Sequence, residues 1–230
     1  MQKNQKLALM WLKLVAVLGI AFYAWGASYG WQLSMLGVYQ YFPLLGLSAW
    51  LIMWTHYIWG ALGWRSALYS RVTGYIVLAL IFLHPGLLAY AQNKNGQGLP
   101  PLSLYHYEPQ HLQGFVFLGT ISFFTFLSFE VFNRLKKKHW VQRNWRWVSL
   151  SQAIAMTLIF IHSLRLGDQL ISGWFTIFWI FCGLVLLPCM IILVRRDFKK
   201  PLAAWVNRPF IYCSDCLVLA KRRQPKKLAA

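Results

Sequence analysis

Few side chains in this sequence can do chemistry, and its histidines come first among them. Three of the six, His56, His84 and His162, stand inside long apolar runs; His106, His111 and His139 lie between runs. A neutral imidazole has one N–H and one bare nitrogen. It can ligate a metal or haem iron, pass a proton, or simply hydrogen-bond inside a helix bundle. Arg165 follows His162 by about one helical turn. Its guanidinium would suit the carboxylates of a bound group, or would anchor a helix end at a membrane interface. Cys182 and Cys189 lie two turns apart in an apolar run and read as small packing residues. Cys213 and Cys216 form a lone C-x-x-C, half a zinc site at most.

The elements that must position these groups follow from composition. The chain is 58% hydrophobic and only 12% charged, against about 25% charged in a soluble domain. It carries 23 Lys and Arg against 5 Asp and Glu, a balance that raises the question of nucleic-acid binding. The distribution answers it. No basic residue lies between Lys13 and Arg65, and only Lys94 lies between Arg71 and Arg134. Short basic clusters between long apolar runs are the pattern of membrane spans, not of a nucleic-acid surface. Six runs, at about 10–30, 43–63, 71–91, 113–134, 147–166 and 173–194, approach the ~20 residues needed to cross a bilayer as a helix. The first is too long for a signal-peptide core, and no A-x-A-like site precedes Gln32.

Alternate loops are basic. All but two of the 23 Lys and Arg, the exceptions being Lys94 and Arg165, fall on one side of a six-span layout, with Lys13 reaching back to that side. The expected arrangement is an all-α, six-transmembrane-helix bundle over 1–194 and a basic tail over 195–230. Both termini are then cytoplasmic in an inner (plasma) membrane. No internal repeat is evident. The tail contains one apolar stretch, Phe210–Ala220, and no G-x-G-x-x-G, so an electron donor would be a separate molecule. The outer segment 92–112 is a long loop of the kind that contacts a partner or covers a site.

Depth then sorts the histidines. The third and fifth runs both lead outward; His84 lies 13 residues after Arg71, and His162 lies 15 after Trp147. At 1.5 Å per residue both stand about 20 Å from the inner boundary. Two imidazoles at one height suit a haem held edge-on between helices, although two separate bundle histidines would have the same spacing. His56 sits alone in the inner half and reads as a bundle histidine. Pro85 is expected to bend the third span, and Gly74 and Gly119 to permit close packing.

Arg71-Val-Thr-Gly74 followed by Leu83-His84, and Trp145-Arg-Trp147 followed by Ile161-His162, resemble the ferric reductase-like transmembrane domain family. The likeness covers roughly 43–166, with the sixth run fitting by position. It is nearest to the haem-binding membrane subunits that partner periplasmic methionine sulfoxide reductases. The resemblance implies a six-helix bundle, haem b with His84 and His162 as iron ligands, and electron transfer from the cytoplasm to an outer redox partner. Members usually carry a further histidine 13 residues before the last; here Ser149 stands there, and Arg71 stands 13 before His84. Neither is a usual haem ligand, so the expectation is one haem. Arg71, Arg143 and Arg146, with Trp140, Trp145 and Trp147, would then meet FMN or a quinone on the cytoplasmic side. The donor would be a flavin reductase or quinol. The alternatives are a quinol-linked cytochrome b subunit and a haem-free membrane scaffold or transporter.

Overall fold

A bilayer offers no water to backbone polar groups, so each apolar run must close its hydrogen bonds within itself. In a computed structural model describing residues 3–64, 66–101, 103, 108–167, 170 and 173–199, every run is a helix. The elements are α1 (Lys3–Ser28), a 3-10 turn (Leu33–Met35), α2 (Val38–Ala61), α3 (Ala67–Lys94), α4 (Gln113–Arg134), the short α5 (His139–Arg143), α6 (Trp145–Leu166) and α7 (Trp174–Lys199). No strand occurs among the described residues, and the fold is all-α. Arg65, His106 and the tail with Cys213 and Cys216 lie outside the described residues.

Five helices, α1, α3, α4, α6 and α7, are long and apolar enough to cross a membrane, which makes this a multi-pass membrane protein. Side chains such as Phe117 and Ile177 are well exposed on them. That much bare apolar surface is a liability in water and the ordinary state in lipid. The remaining long run is α2, which is not among the five. Three tryptophans, three tyrosines and His56 dilute its aliphatic content. It is also the central element, packed against α1, α3, α6 and α7, and the consecutive residues Trp50, Leu51 and Ile52 are all buried. A helix with neighbours on so many sides has little lipid face to keep aliphatic.

Local chemistry sets the turn between α2 and α3. Gly63 adopts φ +71°, and Trp64 N–H reaches back to the Trp59 carbonyl at 2.8 Å, ending α2 with a left-handed cap. Ser66 Oγ then accepts from Tyr69 N–H at 3.3 Å and starts α3. Trp64 stacks on Trp59 with centroids 5.2 Å apart; Lys6 and Lys13 of α1 lie over these rings. One expectation changes: Gly74 supports no close packing, because its side faces open space. Pro85 lies inside α3, which continues to Lys94.

Two helical hairpins frame the histidines: α2 packs along α3, and α4 along α6. Between hairpins, Trp50 of α2 donates its Nε1–H to the Met156 carbonyl of α6 at 3.4 Å. Phe82 of α3 meets Phe123 of α4 edge-on. The helices α3 and α6 thus take diagonal corners and do not pack along each other. In such bundles, binding groups project from facing helices into the shared interior.

Candidate functional site

His84 and His162 occupy matching positions. Each stands 17 residues beyond the first residue of its helix, Ala67 in α3 and Trp145 in α6. That is about 26 Å along either axis. The structure thus gives the pair that depth singles out in the sequence the same place on its two helices.

One device holds both imidazoles. His84 Nδ1–H donates to the Phe42 carbonyl at 2.7 Å, and His162 Nδ1–H donates to the Phe115 carbonyl at 2.8 Å. A carbonyl oxygen can only accept, so the proton of each ring is on Nδ1. The lone pair of the neutral ring is then on Nε2. Among the described residues neither Nε2 has a hydrogen-bond partner.

A glycine stands one turn beyond each acceptor. A Cβ at Gly46 would lie 2.9 Å from His84 Cε1, and a Cβ at Gly119 only 2.5 Å from His162 Cε1 and Nδ1. Phe42-Pro-Leu-Leu-Gly46 in α2 and Phe115-Val-Phe-Leu-Gly119 in α4 are thus one motif used twice. Each hairpin thus supplies a carbonyl, a glycine and a histidine. Three shared residues in five, over so short a stretch, are too few to stand out in a sequence.

His56 is held the other way round. Thr73 donates its hydroxyl to the Tyr69 carbonyl at 2.6 Å, so its oxygen accepts from His56 Nε2–H, also at 2.6 Å. The ring lies against Tyr69, whose own hydroxyl meets Thr55 at 2.6 Å. Its Nε2 is committed to the bundle, in contrast to the other two.

The remaining candidates scatter. Arg165 is exposed, its guanidinium 5.6 Å over the ring of Phe115, beside the carbonyl that holds His162. Arg71 is exposed near the start of α3. Arg146 lies over Phe198 of α7 at 5.6 Å, and no described contact joins it to Arg71. The three tryptophans have three different partners: Trp140 meets Phe132, Trp145 lies under Lys136, and Trp147 meets Phe198. Ser149 is half-buried in α6.

This donor set fits a haem. Porphyrin supplies four of the six iron donors, leaving two axial positions for neutral imidazole nitrogens. No group of three or more His, Cys, Asp or Glu suited to a bare metal ion occurs among the described residues. Two neutral Nε2 atoms, each on a ring whose Nδ1–H is tied to a carbonyl, could hold such an iron. No family model, curated protein or solved structure matches the chain.

Proposed function

We propose that this protein is a one-haem membrane cytochrome of the ferric reductase-like class, passing electrons from the cytoplasmic face to an outer acceptor. The observation that carries the reading is the histidine pair: matching depth, the same Nδ1 tether and a bare Nε2 in each. A haem b bound there would supply reversible one-electron chemistry within the membrane. The chain's own contribution is positioning. The Phe42 and Phe115 carbonyls fix each tautomer and make Nε2 a better donor. Gly46 and Gly119 leave the rings room to turn inward. Arg165 offers a cation near His162 for a carboxylate of the bound group. The committed Nε2 of His56 and the serine at position 149 support a single site.

In this reading α2 is a sixth span, shielded by α1, α3, α6 and α7. Six spans place both termini on the cytoplasmic side of the inner membrane, with all but two of the 23 Lys and Arg. A separate donor, a flavin reductase or quinol, approaches that basic face near Arg71 and Arg143, whose charges suit a flavin phosphate or a reduced quinone.

The test uses purified protein in liposomes that enclose ferricyanide, with a reduced flavin supplied outside. Electrons should reach the enclosed acceptor well above the rate of protein-free vesicles, and His162→Ala should return the rate to that background. Equal rates for the two proteins would overturn the proposal.

A further inference from the structure

A second feature lies away from the histidines, on the lipid-facing side of α6 and α7. The two helices leave between them a groove of about 540 Å³, open along its length and walled by Ile154, Thr157, Leu158, Ile191 and Val194, with Arg195 at one end. From Leu150 to Leu158 it follows α6 for about 12 Å. Thr157 donates its hydroxyl to the Ala153 carbonyl at 3.1 Å, so the middle of the groove presents no free hydrogen-bond donor. The mouth is different. Arg195 lines it, and one turn further Arg146 lies over Phe198, which also meets Trp147 at 5.9 Å. Among the described residues no ion pair joins either guanidinium to a carboxylate.

We propose that this groove is a binding site for an anionic phospholipid, one acyl chain lying between α6 and α7 and the phosphate meeting Arg195 and Arg146. The polarity runs the right way. An acyl chain asks nothing of the apolar walls except contact, while guanidinium groups pair with phosphate oxygens through charged hydrogen bonds. Trp147 and Phe198 sit at the level of the headgroup, where aromatic side chains favour the membrane interface. A quinone fits less well, because its polar ring would find no free donor inside the groove. The site is independent of the haem reading and stands on the membrane-spanning character of α6 and α7 alone.

The test is native mass spectrometry of the full chain released from detergent micelles holding equal phosphatidylglycerol and phosphatidylcholine. The wild-type protein should retain phosphatidylglycerol preferentially. Each guanidinium near an anionic headgroup contributes about a fivefold preference, so Arg195→Gln should lower the ratio by about that factor and Arg195→Gln with Arg146→Gln further. Arg195→Lys should keep most of the ratio, and Ile154→Trp, which fills the groove from an exposed position, should reduce retention of both lipids. Equal retention of the two lipids by the wild type would overturn the proposal. So would an unchanged ratio in the double glutamine variant, unchanged retention in Ile154→Trp, or a quinone retained in place of lipid.

Discussion

At the scale of single residues, proton position separates the three intramembrane histidines. His84 and His162 spend Nδ1–H on a carbonyl; His56 spends Nε2–H on Thr73. The glycines behind the first pair make this testable without touching a ligand. Gly119→Ala puts a methyl 2.5 Å from a ring that its hydrogen bond already holds in place, so the imidazole must move. Overpacking of this kind costs about 1–3 kcal/mol, and disturbing a group that orients a ligand typically weakens binding by about 10- to 100-fold. The expected outcome is weak haem retention in a protein that still folds, with a milder loss for Gly46→Ala, where the contact is 2.9 Å. Haem content after purification, beside a thermal melt, checks both. Arg165→Ala should shift the haem midpoint potential while leaving occupancy nearly intact, since the side chain is exposed beside Phe115 rather than tied to the ring. A redox titration that gives the same potential would leave Arg165 an interfacial anchor.

At the scale of elements, the apolar runs were legible because the bilayer ties helix length to apolar length: the expected span at 113–134 is α4 residue for residue. The matching helix positions of His84 and His162 were legible for the same reason, since residue count along a helix measures depth. What holds the pair was not. Its partners are main-chain carbonyls, which every residue has, and glycines, which matter only once a neighbouring helix is known. The central place of α2 was hidden too, because a run of Trp, Tyr and Leu reads alike whether it faces lipid or four neighbours. One consequence belongs to the α2–α3 hairpin. Thr73→Val removes the acceptor of His56 Nε2–H and strands a buried donor, a loss of about 1–3 kcal/mol. Stability should fall by that order while the haem spectrum stays unchanged; loss of the spectrum would tie His56 to the cofactor.

At the scale of the whole molecule, two hairpins bearing the same carbonyl–glycine–histidine unit face each other, while α1 and α7 pack against the central helix and turn apolar surface outward. The basic residues give that body a direction. A reporter fused after Ala230 should be active only in the cytoplasm, and activity in the outer compartment would reverse the assigned donor and acceptor faces. The proposed function turns on one haem shared by His84 and His162. The most direct measurement is the reduced-minus-oxidised visible spectrum, with haem quantified per chain, for the wild type and three variants. The expected result is one b-type haem per chain, retained in His56→Ala and lost in both His84→Ala and His162→Ala. A haem that survives the loss of either histidine of the pair, or two haems per chain, would contradict it.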